Sequence, residues 1–158
     1  MAGWAALERE EPDFAARVRA LLDAHVHKTI ATVRRDGSPR ISGIECFVHD
    51  GELWVGSMPR AVKARDLKRD PRFALHSGSD DPPDWAGDAK LAGRAEEITD
   101  DDRREQVFAT RGEESPGESH LFRLDLDEVV VIGLNDARDK LVIQLWKPGA
   151  GVRTTERA

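Results

Sequence analysis

The alternation of hydrophobic and polar positions predicts one amphipathic helix followed by a series of short strands. Between Glu11 and Ala24, the residues Phe14, Val18 and Leu21 recur at helical spacing. From residue 28 onward the apolar runs become short and rich in β-branched residues, which favours strands. We therefore expect the helix to cover one side of a core that is built mainly from strands.

Two Asp-Gly pairs separate the first three strand patterns. The patterns are Thr29–Val33, Ile41–Val48 and Glu52–Gly56, with Asp36-Gly37 and Asp50-Gly51 between them. Asp and Gly tolerate the positive φ angles that tight hairpin turns require. The sequence therefore predicts three antiparallel strands in a meander.

The remainder of the chain predicts two more helices and further strands. One helix begins near Arg60 and ends at about Asp70, because Pro71 disfavours helical geometry in the residue before it. The other follows Thr99-Asp100-Asp101-Asp102, which is typical of an N-cap with acidic first-turn residues, and Gly112 ends it. Strands are expected at Phe73–His76, Lys90–Ile98, Leu121–Leu126, Val129–Leu134 and Leu141–Trp146, with polar loops at Ser79–Gly87 and Glu113–Glu118.

This pattern indicates a mainly β (α+β) fold in one domain over residues 1–158. Six to eight short strands and three helices are expected, and the tight connections are of hairpin type. A parallel βαβ sheet is therefore disfavoured, and an antiparallel barrel with peripheral helices fits best. Residues 1–10 and 148–158 are predicted to be extended tails.

The composition and charge of the chain disfavour several classes of function. Of 158 residues, 39% are hydrophobic and 34% charged, which is the balance of a globular protein. The net charge of −6 repels nucleic acid and anionic membranes. Cys46 is the only cysteine, and the first residues do not resemble a secretion signal, so we expect a cytoplasmic protein. His25 and His27 lack metal-ligand spacing, and no metal site is expected.

The segment from Ser57 to Asp66 has the features of an anion site. A strand leads into a helix whose first turn is predicted to carry Arg60 and Lys63, with no carboxylate before Asp66. Cations are disfavoured at a helix N-terminus, and a phosphate bound by the helix end, Ser57 and both cations would resolve the conflict. The alternative is that both cations are ordinary solvated surface charges.

The order of these elements resembles the pyridoxamine 5′-phosphate oxidase-related split-barrel superfamily. The resemblance rests on the Asp36-Gly37 turn, the strand from Pro39, the strand that ends at Ser57, the helix with Lys63, and Asp70-Pro71-Arg72. It covers roughly residues 15 to 147 and is most specific between 40 and 75. It implies an antiparallel six-stranded split β-barrel of Greek-key type. The superfamily includes FMN-binding oxidoreductases and enzymes that use the deazaflavin F420.

Carried over to this chain, the resemblance implies a cofactor site. The ring would lie along Arg40, Ile41, Ser42 and Gly43, with hydrogen bonds to the backbone. Ser57 and Met58 would approach the ribityl chain and phosphate, and Lys63 with Arg60 would neutralise the phosphate. The family habit of homodimers with shared cofactor sites makes Trp85 and Trp146 candidates for contacts across the subunits.

One departure bears on the substrate. Pyridoxamine phosphate oxidases proper use an Arg-x-His pair near the C-terminus, and residues 146–158 contain no histidine. Vitamin B6 oxidation is therefore disfavoured. No general acid or base is assigned, since His76 is better interpreted as a structural residue.

Three functions remain open. The first is an FMN-dependent oxidoreductase that acts on an unidentified small organic molecule by hydride transfer. The second is an F420-dependent reductase, for which the acidic cofactor tail would require further cations from Arg34, Arg35, Arg65, Lys68 and Arg69. The third is a non-catalytic protein that binds flavin, F420 or a haem-derived pigment.

Overall fold

The computed structural model describes residues 1–112 and 117–158, so most of the predicted loop Glu113–Glu118 lies outside the described residues. In these ranges the helices are α1 (Trp4–Glu10), α2 (Pro12–Asp23), α3 (Val62–Arg69) and α4 (Asp101–Ala109). The strands are β1 (Lys28–Val33), β2 (Pro39–Ile44), β3 (Cys46–His49), β4 (Glu52–Ser57), β5 (Arg72–His76), β6 (Asp88–Glu97), β7 (His120–Leu134), β8 (Leu141–Lys147) and β9 (Gly151–Arg157). No helix in the described ranges is both long enough and apolar enough to cross a membrane.

All strand pairs are antiparallel and belong to one sheet with the path β2-β1-β5-β6-β7-β4-β3. Strand β7 spans 15 residues and pairs with β6 on one side. On its other side the first part of β7 pairs with β4 and the last part with β8. The chain thus adopts the predicted α+β split-barrel-like fold, with nine strands in the described ranges instead of the six to eight expected from the pattern.

The predicted hairpins are confirmed, but the meander is wrong. The Asp36-Gly37 turn joins β1 to β2, and Asp50-Gly51 joins β3 to β4 with φ angles of 53° and 70°. The predicted strand Ile41–Val48 is interrupted at Glu45, and its halves lie at the two ends of the sheet path. Local turn chemistry specifies each hairpin, but it does not specify which strands become neighbours after the chain folds.

Both predicted tails contain regular structure. The N-terminal segment forms α1, which buries Trp4 and Leu7 completely against the core. The C-terminal segment forms β9, which pairs along its whole length with β8. Neither element has a strong periodic signal: α1 spans only seven residues, and β9 is mostly exposed and is held by backbone hydrogen bonds.

The core lies between the barrel and α2, and α3 closes part of the barrel surface. Helix α2 begins at Pro12, one residue after the predicted start at Glu11, and buries Phe14, Val18 and Leu22. Helix α3 begins at Val62, so the prediction that Arg60 occupies its first turn is wrong. Arg60 has a φ of 61° and belongs to the turn that precedes the helix. The short link places the end of β4 next to the start of α3.

Candidate functional site

A cavity of about 290 Å³ lies where the end of β4 meets the first turn of α3; we call it the Ser57 cavity. Its walls come from β2, β4, α3 and α4 and from the segments beside them. The described residues that line it are His27, Gly43, Ile44, Glu45, Gly56, Ser57, Met58, Lys63, Phe108, Arg111 and Ser119. Segments that are far apart in sequence therefore converge on one concave site.

Ser57 is the polar residue in this cavity whose hydrogen bonding is incomplete. It is the last residue of β4 and is 9% exposed, and its Oγ has no hydrogen-bond partner among the described residues. A buried hydroxyl without a partner costs about 1–3 kcal/mol. Buried polar groups in native folds are normally hydrogen-bonded, and a polar atom of a ligand or of solvent would supply the partner that Ser57 lacks.

The first turn of α3 provides positive potential beside Ser57. Its N-cap, Ala61, makes no side-chain hydrogen bond, and its first turn contains no acidic residue. Lys63 lies in that turn, lines the cavity and forms no ion pair within residues 1–112 and 117–158. Unpaired N–H groups at a helix start attract anions, and a lysine adds a full positive charge.

A second charged group in the Ser57 cavity is already paired. Arg111 Nη2 donates to Glu45 Oε2 at 2.6 Å, and this hydrogen bond holds the pKa of Glu45 below its usual value. The Arg111 guanidinium also lies 4.8 Å from the centroid of the Phe47 ring. These contacts fix Arg111 after the end of α4, where its charge lies near the space beside Ser57.

Phe108 and Gly56 give the cavity an apolar, closely packed wall. Phe108 is buried in α4, and a Cβ on Gly56 would lie 3.1 Å from Phe108 Cε1. A larger residue at position 56 would therefore push the aromatic ring out of place. An aromatic side chain against bare backbone suits a flat, unsaturated ligand ring.

The cavity brings together four of the predicted cofactor residues: Gly43, Ser57, Met58 and Lys63. Arg40 does not line it, because Arg40 Nε donates to the Asp66 carboxylate at 2.7 Å and the side chain borders a separate groove. Ile41 is 74% exposed on β2 and also lies outside the cavity lining. Ser42 is half-buried and is not among the described lining residues.

The prediction for Trp146 is corrected by its burial. This residue is 0% exposed within one chain, and its Nε1 donates to Glu10 Oε2 at 3.1 Å. It is therefore a core residue and exposes no surface for contact with a second subunit. Trp85 lies on the predicted loop, and its Nε1 donates to Asp88 Oδ1 at 3.1 Å.

Arg60 lies at a different surface from Lys63. It borders a cavity of about 380 Å³ with Arg65, Lys68 and His120. The His120 Nδ1 lies 2.8 Å from Glu97 Oε1, and Lys68 Nζ lies 3.4 Å from the other oxygen of that carboxylate. The left-handed backbone of Arg60 directs the chain into α3, and the structure separates this cation from the lining of the Ser57 cavity.

Sequence reasoning did not identify His27, Glu45, Phe108 and Arg111 as site residues. Phe108 and Arg111 follow from the docking of α4, which depends on contacts remote in sequence. The helix itself is confirmed, but its N-cap is Asp100 instead of Thr99: Asp100 Oδ1 accepts the capping hydrogen bond from the Arg103 N–H at 2.7 Å. No local signal indicated which strand ends it would approach.

Cys46 is unsuited to nucleophilic chemistry. Burial raises the pKa of its thiol to about 11, so the reactive thiolate is scarce at neutral pH. Cys46 is a buried residue at the start of β3.

Comparison with solved structures supports the fold. A pyridoxamine 5′-phosphate oxidase-related, FMN-binding protein from Nostoc punctiforme PCC 73102 aligns over 96% of this chain and 97% of its own, with 15% identity and a TM-score of 0.60. PhzG from Burkholderia lata 383, solved with tetrahydrophenazine-1-carboxylic acid, aligns over 92% and 86%, with 14% identity and a TM-score of 0.63. General Stress Protein 26 from Bacillus anthracis str. Sterne aligns over 73% and 91%, with 17% identity and a TM-score of 0.57. At these identities the likeness is one of fold.

The family follows from a comparison of sequence. Curated proteins gave no match to this chain. The sequence model of the family described as pyridoxamine 5′-phosphate oxidase matches residues 14–133. That match includes β1 to β6, α3 and most of β7, and therefore the strand end and helix start that form the Ser57 cavity. The chain belongs to the pyridoxamine 5′-phosphate oxidase family.

Proposed function

We propose that the protein binds FMN in the Ser57 cavity and is a flavin-dependent oxidoreductase that acts on a small organic substrate by hydride transfer. The observation that carries this proposal is the buried, unpartnered Ser57 Oγ beside Lys63 and the uncapped start of α3. The oxygens of a phosphate monoester would accept hydrogen bonds from the Ser57 hydroxyl, the Lys63 ammonium group and the free N–H groups at the start of α3.

The phosphate of FMN suits this arrangement better than a neutral ligand does. Each charge-assisted hydrogen bond contributes about 1.5–3 kcal/mol. Lys63 supplies one such bond, and Ser57 supplies a hydroxyl whose burial is otherwise uncompensated. The net charge of −6 repels anions from most of the molecule, so local donors have to provide the affinity.

The remaining lining residues suit the isoalloxazine ring. Gly43 and Gly56 expose backbone to the cavity, and Phe108 offers an aromatic wall. When bound, the flavin itself would supply the redox chemistry by accepting or donating hydride, and the protein would orient it and exclude water. Arg111, fixed by Glu45, would place positive charge near an anionic part of the ring or substrate.

We also propose that the functional unit is a cytoplasmic homodimer with the cofactor sites near the subunit interface. Ile41 and Met58 are 74% and 77% exposed, although both are large apolar residues. Met58 lines the Ser57 cavity, and Ile41 lies two residues from Gly43, which also lines it. A second copy that covers these side chains would enclose the cofactor ring. A chain with a single cysteine has no internal disulfide and therefore needs no oxidising compartment, which fits a cytoplasmic location.

The proposal is tested by fluorescence titration of the purified chain with FMN and F420 in parallel, at two salt concentrations. We expect FMN to bind with micromolar or tighter affinity and more weakly at high salt. Lys63→Ala should weaken binding about tenfold or more, since one charge-assisted contact is lost. The matched control Arg153→Ala removes an exposed cation from β9 and should leave the affinity unchanged.

Three results would contradict the proposal. Binding of F420 without FMN would show that the cofactor assignment is wrong. Equal affinity for FMN in wild type and Lys63→Ala would exclude the phosphate site. Reoxidation of the bound reduced flavin by a panel of organic acceptors at only the solution rate would favour a binding protein over an enzyme.

A further inference from the structure

We propose that a basic groove on α3, separate from the Ser57 cavity, binds a second ligand: a small, multiply charged anion. The groove has a volume of about 570 Å³. Its described lining consists of Arg35, Arg40, Val62, Arg65, Asp66, Lys68 and Arg69. None of these residues also lines the Ser57 cavity.

The groove is strongly basic, although it lies on a protein with a negative net charge. Five cationic side chains and one carboxylate border the groove in the described part of the chain, whereas the whole protein carries a net charge of −6. Arg65, Lys68 and Arg69 lie three and four residues apart on one short helix, where like charges repel. An anion bound among them would relieve this repulsion.

A buried carboxylate holds two of the arginines in place. Asp66 is 2% exposed and accepts hydrogen bonds from Thr32 Oγ1 at 2.8 Å, Arg40 Nε at 2.7 Å and Arg69 Nη2 at 3.1 Å. Since Arg40 is held through its Nε, the ends of its guanidinium remain as donors at the groove. Fixing the guanidinium groups in advance lowers the entropy lost when an anion binds.

Two further cations in the groove have no partner of their own. Neither Arg35, in the β1–β2 turn, nor Arg65 forms a side-chain hydrogen bond or ion pair with any described residue. They can therefore engage a ligand without breaking an existing contact. With Arg40, they provide three guanidinium groups from three different segments.

The dimensions of the groove favour a small polyanion over a nucleic acid. Helix α3 has eight residues, which is about 12 Å of length. A compact ligand with two or three phosphate or carboxylate groups fits within that distance, and the negative field of the rest of the protein would repel a long anionic chain. We therefore infer a ligand with several charges close together, either a polyphosphate or a polycarboxylate.

The test is isothermal titration of the full chain with inorganic triphosphate and, in a separate arm, with citrate. We expect triphosphate or citrate to bind at low salt, and a preference between them would identify the ligand chemistry. The double variant Arg35→Ala with Arg65→Ala should weaken binding at least tenfold. The control Arg153→Ala with Arg157→Ala removes the same charge from β9 and should change it less than twofold.

The outcome is independent of the proposed FMN site. Binding of triphosphate or citrate should be unaffected by Lys63→Ala, and the double variant should bind FMN with wild-type affinity. No binding of either anion, an equal loss in the control variant, or displacement of the anion by FMN would overturn the second site. None of these results depends on whether the protein is an enzyme.

Discussion

Asp66 is a buried carboxylate whose charge we predict to stabilise the fold. Burial raises the pKa of this group, but hydrogen bonds from Arg40, Thr32 and Arg69 together hold the pKa below its ordinary value. Replacing it by Ala leaves those donors without their acceptor. We expect Asp66→Ala to lower the free energy of unfolding by about 3 kcal/mol at pH 7, measured by urea denaturation.

The stabilisation that Asp66 provides should depend on pH. Because the folded pKa of Asp66 lies below the unfolded value of about 3.9, its stabilisation is complete above that pH and is lost as the pH falls through the folded pKa. The difference in stability between wild type and Asp66→Ala should therefore shrink at pH 3. A difference that stays constant between pH 7 and pH 3 would show that the negative charge is not its source. Asp70→Ala, at an exposed ion pair with Arg72, should destabilise less.

Single residues could be predicted from sequence where their role depends on near neighbours. Ser57 and Lys63 were identified because a strand end and a helix start lie only a few residues apart. Trp146 could not be identified as a core residue because no local signal indicates its burial or the hydrogen bond that its Nε1 donates to Glu10. Arg40 is assigned to the cofactor ring by the family resemblance, and no local signal indicates that its side chain donates to Asp66.

At the level of elements, Gly93 allows β6 and β7 to pair through a bulge. The register shifts between Ala92 and Gly93, which leaves Asp127 as an extra residue on β7. A Cβ at position 93 would lie 1.8 Å from the Asp125 carbonyl oxygen. We expect Gly93→Ala to lower the free energy of unfolding by about 3 kcal/mol or more, because two backbones would have to separate.

A matched glycine provides the control for this prediction. A Cβ on Gly43 would meet no heavy atom of residues 1–112 and 117–158 within 4 Å, so Gly43→Ala should fold with nearly wild-type stability. Both variants are compared by urea denaturation. Equal stability of the two would mean that the bulge can relax around the added methyl group.

Helices and turns that have a local sequence signal could be predicted, whereas the arrangement of strands could not. Helix α2 and both Asp-Gly hairpins were predicted within a few residues, since periodicity and turn chemistry are local. Two strands were expected where the single strand β7 runs through Asp127, because a bulge accommodates polar residues that otherwise mark a strand end. The order of strands in the sheet depends on contacts between remote segments and was not available from the pattern.

For the whole molecule, one sheet face carries a row of small apolar residues that suits a second copy of the chain. Ile41 is paired in register with Ala31, Ala31 with Ala74, and Ala74 with Ala92, so the row crosses four strands. These residues border a cavity of about 330 Å³. Alanine side chains allow close approach of another surface, and the row ends at the exposed Ile41 on β2, near the Ser57 cavity.

The last prediction follows from this row and from the proposed dimer. Wild-type protein should have twice the chain mass of 17.6 kDa by light scattering, and Ile41→Glu should be monomeric because a buried unpaired carboxylate opposes association. Its free energy of unfolding as a monomer should be unchanged, since Ile41 is 74% exposed within one chain.

Leu141→Glu, at another exposed apolar position, is the control and should remain dimeric. If the cofactor site is completed by the second copy, Ile41→Glu should also lose FMN affinity; a dimeric Ile41→Glu variant would show that the interface lies elsewhere.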